Sequence, residues 1–373
     1  MSEVREAVWI GVDVGTTGVR AMAYTAQGKS VAVRDAFYPL ETPQYDRAEQ
    51  NPQQIYDAAE EVIAGVVKEL QYKLVTISGI ALSSVMHSFI PQDEQFDLLG
   101  NMITWADSRS SNIVHRMEQN EACKQFYFRT GCPLHASYPL AKIIWVKENQ
   151  PEIFDRMAHI GSIKDYMFRL MTGEWVTDKS VASSSGLFNA FTETWDPEIL
   201  DYVGIQEEQL PKVVSTTYSG KLLANVAERL GLPVNTPVVI GATDGVLVNV
   251  GIGAVSKGQL SATIGTSGAI RMLTEKPQMD PKGRTWCYNL TDTMWVAGGA
   301  INNGGMILRW MRDRILHYHG SQMEQLSVDP YDLMTMKARH VPAGSGGLLL
   351  MPYFTGERAP YWNSDLRGAF VGL

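Results

Sequence analysis

Cysteine is scarce in this chain. Cys123, Cys132 and Cys287 are scattered, none lies in a Cys-x-x-Cys pair, and no Cys/His cluster has zinc-ligating spacing. A disulfide framework is excluded, and a reducing, cytoplasmic setting is the expectation. Long apolar runs are absent as well, since none approaches the ~20 residues that a membrane span requires. The segment MSEVREAVWIGVD has a short apolar run leading straight into Asp13, without a basic n-region or cleavage site, so it reads as a first strand and not a signal peptide. Basic charge is in deficit: Lys+Arg 32 against Asp+Glu 40 gives −8, with no long block of either sign. That balance argues against a nucleic-acid partner. Asn289-Leu290-Thr291 matches a glycosylation sequon but, with no secretion signal, reads as chance.

What remains is an ordinary globular composition, 45% hydrophobic and 19% charged over 373 residues. At roughly 150 residues per domain, two or three domains are expected. Val8 to Gly15, Val19 to Thr25 and Ser30 to Tyr38 read as an antiparallel meander with turns at Gly15–Gly18 and Gln27-Gly28. Asn51-Pro52 supplies a cap and first-turn proline for a helix whose apolar positions run from Ile55 to Leu70. Leu74 to Ser83 and Asn101 to Trp105 read as strands, residues 108 to 205 as mainly helical, and Pro233 to Ala242 as an apolar strand. The whole is an α/β chain. One internal echo stands out: Val14-Gly15-Thr16-Thr17-Gly18-Val19-Arg20 against Ile264-Gly265-Thr266-Ser267-Gly268-Ala269-Ile270-Arg271. Two copies of a strand–turn–strand hairpin suggest a duplicated unit facing its partner across a cleft.

The chemistry-bearing residues cluster around those turns. Asp13 ends an apolar strand, where its carboxylate could hold a hydrated Mg²⁺. The small hydroxylated turn behind it offers N–H and O–H groups to phosphate oxygens, though an ordinary β-turn explains the same residues. No lysine follows in Walker spacing, and a strand rather than a helix comes next, which excludes both the P-loop and the dinucleotide fingerprint. Gly265-Thr266-Ser267-Gly268 is the matching turn. Asp244, in Thr243-Asp244-Gly245 at the end of the Pro233–Ala242 strand, suits a base that takes a proton from an attacking hydroxyl, and equally suits a helix N-cap. Met86-His87 and Trp105 lie just past strand ends, where an α/β cleft opens, although a lone His or Trp is by default structural. Gly298 to Gly305 is a glycine-rich entry to a helical run, Met306 to Arg314. Close approach of a nucleotide or tight packing would each account for it.

Taken together these residues resemble the FGGY carbohydrate kinases, of the actin/hexokinase superfamily. Ser137-Tyr138-Pro139-Leu140-Ala141-Lys142 through Asn149 is similar to the family's first signature, and Gly356-Glu357-Arg358-Ala359-Pro360-Tyr361-Trp362 to another of its typical runs. The resemblance covers essentially the whole chain. It implies two ribonuclease-H-like domains around a cleft, here residues 1–253 and a partial second domain, 254–373. Gly368 to Leu373 is similar to the opening of the second signature, so an incomplete C-terminal domain is expected, and with it either a working kinase or a non-catalytic binding module. ATP and Mg²⁺ are the implied cofactors. The implied roles are Asp244 as base, Asp13 at the metal, and Gly15, Thr16, Thr17, Gly265, Thr266, Gly305 and Arg309 at the nucleotide. Met86, His87, Trp105, Asp244 and Asn303 are implied at the substrate. The Arg-Glu pair of glycerol-phosphorylating members is replaced here by Met86-His87. The runs at Gly131–His135, Thr285–Tyr288 and Gly299–Gly305 are most similar to members acting on gluconate, with those acting on xylulose second. A homodimer is a further expectation from the family.

Overall fold

The computed structural model describes residues 5–318 and 328–373. Its larger sheet is built on three strands of the predicted meander: β1 (Glu6–Val14), β2 (Gly18–Thr25) and β3 (Ser30–Phe37). Along β1, Val8, Ile10, Val12 and Val14 are buried while Trp9 is exposed, the period of two expected of a pleated strand. Helix α1 (Pro52–Leu70) follows, capped by the Asn51 side chain, which accepts from the N–H groups of Gln53 and Gln54. Its apolar stripe from Ile55 to Leu70 packs on the sheet. The chain then returns as β4 (Val75–Ser84), parallel to β1.

The region between residues 108 and 205 is mainly helical, as expected, with a few two- and three-residue strands between the helices. It includes α2 (Pro139–Asn149), α3 (Ile163–Thr172) and α4 (Lys179–Ser183). After β5 (Ser219–Lys221) and α5 (Ala224–Leu230) comes β6 (Pro237–Thr243), which pairs parallel with β4 and runs directly into α6 (Asp244–Gly251). The strand order is β5-β6-β4-β1-β2-β3. Two expected strands come out shorter than the apolar pattern suggested. Pro233–Thr236 is a turn, closed by the Thr236 N–H on Pro233 O and containing Asn235 at φ 66. The Asn101–Trp105 strand shrinks to Met102–Ile103, because Thr104 bonds to Ala48 and Trp105 leaves to donate to Thr16.

The second sheet is antiparallel throughout, in the order β7 (Leu260–Ile264), β8 (Gly268–Thr274), β10 (Met294–Ile301), β9 (Trp286–Thr291). It docks on the first body through β9. The Asn289 N–H donates to the Ser183 hydroxyl, the Cys287 N–H to Gly131 O, and the Tyr288 and Tyr138 hydroxyls meet at 2.6 Å. Asn289 is fully buried in this strand, so its sequon is not available to a glycosyl donor. The helical run after the glycines is α7 (Met306–Trp310), continued by a wider π-type turn over Met311–Ile315. Among the described residues no helix is long and apolar enough to cross a membrane.

Candidate functional site

The C-terminal ends of β1, β4 and β6 lie side by side, with Val14 and Thr243 both in register with Ser84. Register therefore brings Asp13 and Asp244 to the same edge of the sheet, on either side of the central strand. Asp13 accepts a hydrogen bond from the Ser83 hydroxyl at 2.8 Å. Thr243, not Asp244, occupies the N-cap position of α6. Asp244 is the first helical residue, and its Oδ1 accepts from the adjacent Gly245 N–H at 2.6 Å. The cap alternative is thereby set aside. Behind it, the Thr243 hydroxyl meets the Ser180 hydroxyl at 2.9 Å, and Ser180 N–H bonds to Asp178, which forms a buried ion pair with Lys164. Burial, and next the charge of Asp13, push the Asp244 carboxyl up to about 6.

The two Gly-Thr turns converge on the same place. Asp244, Gly245, Thr16, Gly265, Ser267 and Gly268 line one end of a cleft of about 340 Å³. In each turn the carbonyls are engaged from behind: Gly15, Thr16 and Gly18 by Tyr38 and Gln50, Gly265 and Thr266 by the N–H groups of Gly304, Gly305 and Met306. Among the described residues no hydrogen bond engages the N–H of Thr16, Thr17, Thr266 or Ser267. Such clustered free N–H groups form an anion cradle. A Cβ placed on Gly265 would meet no protein atom within 4 Å, so its missing side chain leaves room for something outside the chain. These features fit a nucleotide phosphate tail. For a divalent ion, no group of three or more His, Cys, Asp or Glu side chains that could hold a metal occurs among the described residues. Asp13 as a lone carboxylate fits Mg²⁺, which keeps most of its own waters, and would not fit a fully protein-ligated metal.

The other walls carry Met86, His87 and Trp105, as anticipated, with Tyr138, Trp286, Tyr288, Arg271, Arg358 and Trp362. His87 sits at φ 66, and its Nδ1 is 2.7 Å from Ser184 O. Burial lowers its pKa to about 3, so the ring is neutral and must donate from Nδ1, which leaves Nε2 as an acceptor. The Lys142 ammonium donates to the His87 carbonyl at 2.6 Å, and burial pushes this lysine down to about 7. Trp105 Nε1–H donates to the Thr16 hydroxyl at 2.9 Å, joining the aromatic wall to the first turn.

Several anticipated contacts are placed elsewhere. Asn303 does not line the cleft. It is buried, with Nδ2 on Gly356 O and the Glu357 carboxylate and Oδ1 accepting from Phe354 and Thr355, so it braces the 354–357 segment. Arg309 is exposed on α7, outside the cleft lining. Gly305 backs the second turn through its bond to Gly265 O. Gly15, Thr17 and Thr266 lie beside the lining, the two threonines exposed at the turn tips. Arg271, Tyr138 and Arg358 were missed as site residues. Each lies in a run already noted: Arg271 in mid-strand on β8, Tyr138 at the N-cap of α2 and Arg358 in the segment after Gly356.

The profile of the N-terminal domain of the FGGY family of carbohydrate kinases matches residues 8–251, and that of the C-terminal domain matches residues 260–373. A gluconokinase of Bacillus subtilis is 43% identical over 98% of this chain and 71% of its own length. Two solved structures from Lactobacillus acidophilus superpose with TM-scores of 0.91 at 36% identity. One is a gluconate kinase (99% of this chain, 73% of that one), the other a ligand-bound xylulose kinase (98% and 72%).

Proposed function

The chain belongs to the FGGY family of carbohydrate kinases, and on that premise we propose that it phosphorylates D-gluconate at its terminal hydroxyl, giving 6-phosphogluconate, with ATP and Mg²⁺. The observation that carries the reading is the Asp244 carboxylate, half-buried and raised to about 6, standing between two turns in which the N–H groups of Thr16, Thr17, Thr266 and Ser267 are unengaged among the described residues. A carboxylate so raised is a stronger base than an ordinary one and is still largely ionised at pH 7. Asp244 accepts the proton of the substrate hydroxyl as that oxygen attacks phosphorus. The N–H groups of Thr16, Thr17, Thr266 and Ser267 hold phosphate oxygens from both sides and fix the line of attack. Asp13 would hold the hydrated ion. When bound, Mg-ATP supplies the phosphoryl group and offsets its charge. His87 Nε2 accepts from a sugar hydroxyl, and the aromatic wall excludes water. With this goes a division into a substrate-side unit, residues 1–253, and a nucleotide-side unit, 254–373.

Incubating the 373-residue chain with Mg-ATP and a panel of aldonates, ketoses and polyols, with ADP release coupled to a dye, tests the reading. ADP formed fastest with D-gluconate is the expected result. A second reading, D-xylulose, is favoured by the equally close superposition on the xylulose kinase, and the same panel reports it as preference for the ketose. Binding of sugar without ADP release from any member of the panel would replace the kinase by a binding module.

A further inference from the structure

Two arginines in the cleft wall have no acidic partner among the described residues. Arg271, on β8, uses Nη1 on the Thr263 hydroxyl at 3.1 Å, and its Nε–H is buried without an acceptor. Arg358 uses Nη2 on Ile301 O at 3.2 Å, and its Nε–H is likewise buried and unmet. Neither forms an ion pair among the described residues, whereas Arg109 and Arg129, also withdrawn from solvent, each hold a carboxylate. Glu357 is adjacent to Arg358 in sequence, yet its carboxylate is committed elsewhere. Oε1 accepts from the N–H groups of Asn302 and Arg358, and Oε2 from the Asn303 amide. A guanidinium drawn into a cleft without an anion is costly, and the cost disappears when a ligand brings the anion.

The two arginines differ in their surroundings. Arg271 feels the charge of Asp244 and serves the reacting end. Arg358 lies in the field of the Tyr138 and Tyr288 hydroxyls, and its guanidinium stands 5.6 Å from the centre of the Trp105 ring. It therefore stands against the aromatic wall, and with Arg271 it is one of two arginines that line the cleft among the described residues. Asn303 acquires a purpose here, because it clamps the segment that presents Arg358. We propose that Arg358 binds the carboxylate of a sugar-acid substrate and thereby directs the opposite, hydroxyl-bearing end of that substrate to Asp244. The inference rests on the kinase reading of the same cleft and adds to it the residue that selects an acid over a neutral sugar. An aldonate carries its carboxylate and its terminal hydroxyl at opposite ends of one chain, so holding the first presents the second.

Trp105, Trp286 and Trp362 line the cleft, so intrinsic fluorescence can follow binding without turnover. The 373-residue chain is titrated with D-gluconate, with sorbitol (the same carbon chain without charge) and with ADP. The unaltered chain is expected to prefer gluconate to sorbitol. Arg358→Gln should weaken gluconate about tenfold to a hundredfold and erase that preference, the loss typical of a charge-assisted contact. Arg358→Lys keeps the charge and should recover part of it, and its recovery also shows that the site still folds. A preference that survives in Arg358→Gln would overturn the proposal, as would loss of ADP binding in place of gluconate binding, or no gluconate binding in the unaltered chain. If gluconate binding depends on Arg358 while the coupled assay releases no ADP from any sugar, the carboxylate subsite stands and the kinase reading falls.

Discussion

The two Gly-Thr turns are near copies in sequence and are held by different means. At Gly15–Gly18 side chains take the carbonyls: the Tyr38 hydroxyl lies 2.7 Å from Gly15 O and 3.0 Å from Gly18 O, and Gln50 Nε2–H donates to Thr16 O at 2.8 Å. At Gly265–Gly268 the backbone does the same, with N–H groups of Gly304, Gly305 and Met306 on Gly265 O and Thr266 O. The surroundings differ too. The first turn joins strands whose core residues are closed under α1, whereas the strands around the second leave Leu260, Ile264 and Ile270 more than half exposed. A carbonyl taken from behind turns its peptide so that the N–H faces the cleft. That orientation is what both arrangements deliver, and the support behind it is interchangeable.

The sharpest way to break this symmetry is to remove what stands between the turns. Asp244→Asn should lower kcat about 10²–10⁴-fold, the range for losing a general base. The same change should stabilise the fold. A carboxyl whose folded pKa is raised from 3.8 to about 6 costs stability increasingly as pH climbs between those values, and the full cost is present above 6. Replacing it by a neutral amide relieves something on the order of 1–3 kcal/mol at pH 7, readable as a higher Tm. A variant that lost both activity and Tm would mean that Asp244 braces α6 and is no base.

Much of this arrangement was legible in the sequence. β1 to β3, the Asn51 cap, the two turns and the strand leading to Asp244 follow from periodicity and turn chemistry, which are local. The supports were not legible, because they are made by residues distant in sequence: Tyr38 and Gln50 for one turn, Gly304 and Gly305 for the other. The echo also misled in one detail. The first turn closes Val14 on Val19 and the second closes Ile264 on Gly268, so the second is one residue shorter. Arg20 and Arg271 consequently do not correspond. Arg20 points outward to Asp35, while Arg271 faces the cleft. Arg20 is the first residue past the closing pair of its turn and Arg271 the third past the closing pair of the other, an offset that matching short runs does not register. Asn303 was legible as a buried-site residue type but not as a brace, since its partners lie some fifty residues further on.

The backbone-supported turn should be the more fragile of the two. A Cβ on Gly304 would lie 2.7 Å from Ser267 O and 3.0 Å from Gly265 O, and neither backbone atom can rotate away. Gly304→Ala is expected to displace the turn and raise the KM for ATP about tenfold to a hundredfold, in keeping with the sensitivity of such cradles to a 1 Å misplacement. Gluconate affinity, measured by tryptophan fluorescence without nucleotide, should change far less. Equal losses in both would show that the second turn also shapes the sugar side. Next in size is the effect of pH on Asp244. With its pKa at about 6, kcat/KM should be near its plateau at pH 7.5 and fall about tenfold at pH 5. In the Asn variant this limb should vanish.

Tyr38→Phe gives the smallest effect and the finest comparison. The change removes one hydroxyl that two carbonyls share, Gly15 O and Gly18 O, and leaves the ring in the core where it is buried. No Cβ is added and no backbone has to move, in contrast to Gly304→Ala. The Gln50 bond to Thr16 O and the Gly15 N–H bond to Gly18 O both remain to hold the turn. The lost bond should cost about 1 kcal/mol of stability, and the slackened turn should raise the KM for ATP only about twofold to fivefold. Thermal unfolding and steady-state kinetics on one preparation check both numbers. If Tyr38→Phe instead matched Gly304→Ala in its effect on ATP, side-chain and backbone support would be equally rigid, and the difference in robustness between the two turns would be lost.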